Sequence, residues 1–86
     1  MNLEELRVEI DAVDRELAAL LTRRMELCSQ VAQVKAREGL PLYHPDREAQ
    51  VIAKVQGLTR PEYAEHLGRV WQKIMEESRA LQQKLL

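Results

Sequence analysis

Apolar residues recur near the start of the chain at alternating steps of three and four. They occupy positions 3, 6, 10, 13, 17 and 20, and then positions 27, 31 and 34. This heptad spacing is typical of a helix with one apolar stripe, and it predicts a helix from about Leu3 to Arg37, without glycine or proline. One member of the stripe is missing, and Arg24 stands in the gap. A charge on an apolar stripe is costly unless a carboxylate or a ligand pairs with it.

Two shorter helices are predicted after Gly39, which ends the first. The second begins at Pro45, has its buried face at positions 51, 52 and 55, and ends at Gly57. The third begins near the sequence TRPEY and runs to the C-terminus, with a stripe at positions 63, 67, 70, 74, 78, 81 and 85. No segment has the alternating pattern of a strand. We therefore predict an all-α fold and a single domain over residues 1–86, with one long, one short and one medium helix.

The length of the first helix bears on assembly. At 1.5 Å per residue it spans roughly 52 Å, whereas a compact chain of this size has a radius of gyration of about 12 Å. Two shorter helices cannot cover so long a stripe within one monomer. The pattern therefore favours an intertwined helical homodimer, and the alternative is an antiparallel three-helix bundle with a frayed end.

Composition narrows the classes of function. The net charge of −1 gives no general attraction to nucleic acid or to an anionic membrane, and no apolar run approaches the roughly 18–20 residues of a membrane span. The single cysteine, Cys28, cannot form an internal disulfide, which favours the cytoplasm. His44, His66 and Cys28 do not make a metal site, and no phosphate-binding loop or nucleophile motif occurs. We predict no metal, no cofactor and no covalent catalysis.

Polar side chains stand on the inward faces of the first two helices. Lys35 follows Arg24 by eleven residues, a turn of about 20° and a rise of about 16 Å, so the two cations point the same way. In the second helix Glu48 lies in line with the apolar face, beside Arg47. Taken singly, Arg24 and Glu48 could form an ion pair that fixes the register, and Lys35 could be a solvated residue near a helix end.

The third helix adds Ser78 at a stripe position and Gln82 one turn later. Apolar walls with a few convergent polar groups are the composition of a small-molecule pocket, and the two inward cations suit a small anion. Arg7 lies about 25 Å from Arg24 along the helix axis and about 100° around it, so no small ligand touches both within one chain. In an antiparallel dimer Arg7 is a candidate for the partner's site, and otherwise it is a surface cation paired with Asp11.

Four sequence segments together resemble the all-helical type of chorismate mutase. They are LRVEIDAVDRELAALLTRRMEL, VAQVK, DREAQV after a short loop, and IMEESRALQQ, and their order and spacing match over nearly the whole chain. The family's fold is an intertwined dimer of three-helix chains with two active sites. The resemblance implies an isomerase that rearranges chorismate, a small dianion, to prephenate in phenylalanine and tyrosine biosynthesis, without a cofactor.

The resemblance also implies the residues that carry the reaction. Arg24 and the partner's Arg7 would bind the two carboxylates of chorismate. Lys35 and Gln82 would donate hydrogen bonds to the ether oxygen of the breaking bond. Lys35, Gln82 and Arg24 are accordingly the implied catalytic residues.

The remaining implied site residues bind the substrate. Glu48 would accept a hydrogen bond from the ring hydroxyl of the substrate. Arg47 and Ser78 would support the carboxylate end of the pocket. Many members have aspartate in the loop before the second helix, where this chain has His44, and there the resemblance implies a backbone contact. Two other functions stay open at this point: an isochorismate pyruvate lyase of the same fold, and a non-catalytic regulatory helical dimer.

Overall fold

A computed structural model describes residues 1–85, which form three α-helices and no strand. Helix α1 is Leu3–Glu38, α2 is Pro45–Gly57 and α3 is Pro61–Leu85. The predicted all-helical chain with one long, one short and one medium helix is confirmed. Leu86, with which the third helix was predicted to end, lies outside the described residues.

The two ends of α1 are fixed by local hydrogen bonds. At the start, the side chain of Asn2 accepts the backbone N–H of Glu5 at 2.8 Å, which satisfies one of the free donors of the first turn. At the end, Gly39 adopts a left-handed φ of 69°, and the N–H of Leu40 donates to the carbonyl of Lys35 at 2.8 Å. This cap turns the chain out of α1 just after Glu38 and directs it towards α2.

Helix α3 is the centre of the packing. It contacts both α2 and one side of α1, and the buried apolar residues at these contacts are Ala32, Val55 and Met75. Two polar residues of α3, Ser78 and Gln82, are buried with them, at 5% and 6% exposure. The core is therefore small, and part of it is polar.

The heptad stripe of α1 is uncovered. Its nine apolar side chains, from Leu3 to Val34, are between 38% and 67% exposed. The radius of gyration is 15.8 Å, compared with roughly 12 Å for a compact domain of this size, and the longest dimension is 53 Å. The chain is therefore extended. A compact three-helix bundle is thus not what the chain forms, and the stripe is an apolar surface of the kind that marks an interaction site.

No helix within residues 1–85 combines the length and the apolar character needed to cross a membrane.

The αL cap of α1 gives a testable prediction. Gly39→Ala is expected to lower the free energy of unfolding by about 1 kcal/mol, because a side chain at positive φ is strained. Gly57→Ala is the matched control: Gly57 has no positive φ, and nothing lies within 4 Å of an added Cβ, so stability should stay the same or rise slightly. Urea denaturation at one protein concentration compares the two, and equal effects would contradict the cap.

Candidate active site

A cavity of about 130 Å³ lies where the second half of α1, the start of α2 and the second half of α3 meet. It contains seven of the eight residues predicted for the site, and Arg7 is the exception. The lining residues are Arg24, Lys35, Leu42, His44, Arg47, Glu48, Val51, Met75, Ser78, Arg79 and Gln82.

Arg24 is held by α3 through a hydroxyl group. Its Nη1 donates to Ser78 Oγ at 3.3 Å and lies 3.7 Å from Cys28 Sγ. The Ser78 hydroxyl in turn donates to the carbonyl of Ile74 at 2.9 Å, so it faces the guanidinium as an acceptor. Within residues 1–85 Arg24 forms no ion pair with a carboxylate. The alternative of a register-fixing pair with Glu48 is therefore wrong, and the charge of Arg24 is free for a ligand.

The position of Arg24 around α1 explains how the helix tolerates it. On one side lies the face that packs on α3, where Ala32 is fully buried. On the other side lies the uncovered stripe, where Leu20 and Leu27 are 67% and 44% exposed. Arg24 stands at the boundary between the two and is half-buried. A guanidinium there keeps partial contact with solvent, so the desolvation cost is much lower than in a closed core.

Lys35 and Gln82 are both oriented by backbone carbonyls. The Lys35 ammonium donates to the carbonyl of Leu42 at 2.9 Å, which ties the end of α1 to the α1–α2 loop. The buried amide nitrogen of Gln82 donates to the carbonyl of Cys28 at 2.8 Å, across the contact between α3 and α1. An ammonium carries three hydrogens and an amide nitrogen two, so each group can still donate to a ligand.

His44 begins α2 as its capping residue. Its Nδ1 accepts the backbone N–H of Arg47 at 3.0 Å, and Pro45 takes the first helical position. An aspartate carboxylate is a common acceptor of such an N–H at a helix N-cap, so the imidazole nitrogen of His44 can fill the same capping role. The cap fixes the first turn of α2, and with it the backbone of Arg47 and Glu48, at the edge of the cavity.

Glu48 forms an ion pair that the sequence analysis missed. Arg79 Nε donates to Glu48 Oε2 at 2.7 Å, and Arg79 Nη2 lies 3.4 Å from Oε1. The guanidinium carbon also lies 4.3 Å from the centre of the Tyr43 ring. One signal was available: Arg79 precedes Gln82 by three residues, and residues three apart share a helix face.

Arg7 lies outside the cavity. It pairs with Glu4 at 3.2 Å on the surface of α1, and the two side chains are 61% and 81% exposed. The alternative partner Asp11 is therefore wrong, because Arg7 pairs one turn in the other direction. Within this chain Arg7 does not contribute to the site, as its distance from Arg24 along the helix predicted.

The cavity is strongly cationic for its size. Four basic side chains line it, Arg24, Lys35, Arg47 and Arg79, and Glu48 is the one carboxylate among the described lining residues. Since Arg79 is paired with Glu48, three cations remain to attract a small anion. Among residues 1–85, no three His, Cys, Asp or Glu side chains lie close enough together to hold a metal ion.

Comparison with known proteins identifies a family that matches most of the chain. The family chorismate mutase type II matches residues 6–83. The chain is 30% identical to the chorismate mutase of Methanocaldococcus jannaschii, over 99% of this chain and 88% of that protein. It is 46% identical to the T-protein of Enterobacter agglomerans over 78% of this chain, but it spans 17% of the T-protein's length. It spans 25% of a bifunctional chorismate mutase/prephenate dehydratase of Aquifex aeolicus, at 31% identity. No solved structure gives a significant match.

Replacing Arg24 tests whether it has a structural partner. We expect Arg24→Leu to leave the free energy of unfolding unchanged or higher, because no carboxylate of residues 1–85 pairs with the arginine and Ser78 keeps its hydrogen bond to Ile74. Arg23→Leu is the matched control, since Arg23 is an exposed neighbour whose contact with Glu26 is 3.7 Å. Urea denaturation compares both with the wild type, and a clear loss of stability confined to Arg24→Leu would show that the arginine holds the fold.

Proposed function

The chain belongs to the chorismate mutase type II family, and we propose that it catalyses the rearrangement of chorismate to prephenate. The proposal rests on the cavity between the three helices, where three cations without a carboxylate partner in residues 1–85 lie with one paired carboxylate against apolar walls. Chorismate is a small dianion with one ring hydroxyl, so its charge and its polar groups match this set. The reaction belongs to phenylalanine and tyrosine biosynthesis, and the single cysteine suits an enzyme of the cytoplasm.

The first task of the site is to hold the substrate folded. In the rearrangement the ether C–O bond breaks while a C–C bond forms to the ring, in one concerted step that neither adds nor removes atoms. The enolpyruvyl side chain must lie over the ring for this to occur. Arg24 binds one carboxylate, with Ser78 and Arg47 supporting that end, and the partner's Arg7 binds the other. Charged pairs of this kind fix the reacting conformer at little further entropic cost.

The second task is to stabilise charge on the ether oxygen. As the C–O bond breaks, negative charge grows on that oxygen, and donors aimed at it favour the transition state over the ground state. Lys35 and Gln82 supply these donors. Both are already oriented by carbonyls, at 2.9 Å from Leu42 and 2.8 Å from Cys28, so little reorganisation is needed during the reaction.

The ring hydroxyl is bound at the other end of the cavity. The carboxylate of Glu48 accepts a hydrogen bond from this hydroxyl, and the backbone at His44 contributes to the same end of the cavity. Both are supported by the first turn of α2, which the His44 cap holds in place. This end keeps the ring in position while the side chain moves, and it takes no part in bond breaking.

Two copies of the chain form the functional unit in this proposal. The nine exposed apolar residues of the α1 stripe need a cover of about the same length, and a second α1 running antiparallel provides it. The same arrangement brings the N-terminal half of one α1 to the middle of the other. Arg7 of each chain then reaches the cavity of its partner, which it cannot do in its own chain.

A direct assay tests the function. Purified protein should consume chorismate, followed by its loss of absorbance, and should form prephenate. Arg24→Leu should abolish this activity while Arg23→Leu keeps it. Isochorismate is assayed in parallel, because release of pyruvate from it would identify the lyase instead. A protein without activity on chorismate would overturn the proposal.

Subunit complementation tests the shared site. Arg7→Ala and Arg24→Ala chains should each be inactive alone. In a mixed dimer one site carries both defects and the other carries neither, so an equal mixture should recover about a quarter of wild-type activity.

Two measurements accompany this mixing experiment. Subunit exchange is shown by the mass of dimers formed from tagged and untagged chains, and the oligomeric state is measured by sedimentation. Exchange without recovery would place Arg7 outside the site. An active monomer would contradict the dimer itself.

Gln82→Glu tests the donor to the ether oxygen. A carboxyl group of nearly the same shape donates only when protonated, and when ionised it faces both the carbonyl of Cys28 and an oxygen that is gaining charge. We expect the variant to lose roughly 100- to 1,000-fold in turnover near neutral pH and to recover as the pH falls.

The matched control is Gln83→Glu, which places the same charge on the exposed side of α3. It should keep the wild-type rate and pH profile. A Gln82→Glu enzyme with the wild-type rate at every pH would show that Gln82 does not reach the reacting oxygen.

A further inference from the structure

Arg79 lines the cavity and pairs with its one described carboxylate, yet it has no part in the proposed mechanism. We infer that Arg79 is a positioning residue, which holds Glu48 as the acceptor for the ring hydroxyl and so helps to determine which dianions the site accepts. The inference rests on the proposed function for the identity of the hydroxyl-bearing substrate. Its physical basis is the geometry of Glu48, Arg79 and Tyr43.

Arg79 neutralises the negative charge of Glu48 inside a cavity that binds an anion. A free carboxylate in a cavity that binds a dianion would repel it, and the repulsion is strong where solvent is partly excluded. The Glu48 and Arg79 side chains are only 21% and 29% exposed, so solvent screens this carboxylate incompletely. Arg79 supplies the counter-charge from within the protein. Arg24, Lys35 and Arg47 then remain available to the ligand.

The two contacts of the pair are unequal, and the inequality assigns a role to each oxygen. Glu48 Oε2 receives the short bond, at 2.7 Å from Arg79 Nε. Glu48 Oε1 is 3.4 Å from Arg79 Nη2, close to the limit of a hydrogen bond. The short hydrogen bond fixes the Glu48 side chain, while Oε1 keeps most of its capacity to accept a hydrogen bond from a ligand. We assign Oε1 as the acceptor of the ring hydroxyl.

The guanidinium is itself fixed from a second direction. The Tyr43 ring, in the loop between α1 and α2, lies 4.3 Å from the guanidinium carbon of Arg79. A planar guanidinium can stack on a ring with its face while it donates from its edge, and an ammonium cannot do both. Arg79 on α3 thus links the loop to α2, and Glu48 is held in one orientation before any ligand binds.

The variant Arg79→Lys separates position from charge. It keeps the positive charge of the cavity but loses the planar fork and the stacking. We expect kcat/KM for chorismate to fall roughly tenfold, in line with the loss of one well-placed hydrogen bond to a charged group. The loss should appear mainly in KM, because the ring hydroxyl is bound equally in the ground and transition states.

A second ligand shows whether the loss of kcat/KM depends on the ring hydroxyl. For a chorismate analogue in which hydrogen replaces the ring hydroxyl, Arg79→Lys should lower kcat/KM by less than about twofold, because this ligand donates no hydrogen bond to Glu48. In a Glu48→Gln background, Arg79→Lys should likewise have little further effect on chorismate. Arg69→Lys is the matched control, since Arg69 pairs with Glu65 on the exposed side of α3, and it should behave as wild type with both ligands.

The outcomes separate this inference from the proposed function. An equal loss on both ligands, or a loss that persists with Glu48→Gln, would overturn the role of Arg79 in an enzyme that is otherwise active on chorismate. Calorimetric titration with prephenate, and with its analogue lacking the hydroxyl, makes the same comparison without turnover. A wild-type protein that binds but does not catalyse would overturn the proposed function, and the ratio of affinities would still decide the role of Arg79. Binding of neither ligand would overturn both.

Discussion

The length of α1 is the constraint on which the rest of the structure depends. Its 36 residues extend along the 53 Å length of the chain, while α3 packs against only one side of it and α2 packs on α3. The chain cannot fold back far enough to cover the apolar stripe, so the stripe stays exposed and the core stays small. The cavity forms where the second half of α1, the start of α2 and the second half of α3 line one space. Position along α1 therefore decides which residues reach the cavity, and Arg7 in the second turn does not.

The small core has a second consequence, because core and site share residues. Ser78 and Gln82 are two of the six buried residues within residues 1–85, and both are polar. Within residues 1–85, no buried side-chain nitrogen or oxygen lacks a hydrogen-bond partner. The carbonyls of Ile74 and Cys28 satisfy Ser78 and Gln82 without a ligand, so burial of these groups is not strongly penalised. The partners that make burial acceptable also fix the orientations that a catalyst needs.

The sequence was sufficient to predict the helices and most of the cavity residues. It did not predict which of those residues pair with one another. Periodicity gives the direction of a side chain around its own helix, and that direction placed Lys35, Glu48 and Gln82 inward. It does not say which helices pack together. The structure packs α2 on α3 rather than on α1, so Glu48 meets Arg79 and not Arg24. Arg79 was missed for the same reason, since its role depends on a contact between helices.

The position of Arg24 at the edge of the packed face links the fold to the chemistry. In a fully closed core an unpaired guanidinium would cost several kcal/mol, and it would shift or draw in a carboxylate. At the boundary of the α1 stripe it keeps part of its solvation, and a hydroxyl rather than an anion holds it in place. Its charge therefore stays uncompensated by any carboxylate within residues 1–85, at modest cost. Had Glu48 been its partner, the same residues would have formed a neutral, more stable pair and would have left less charge for a ligand. By pairing Glu48 with Arg79 instead, the fold keeps both a fixed acceptor and a free cation in one cavity.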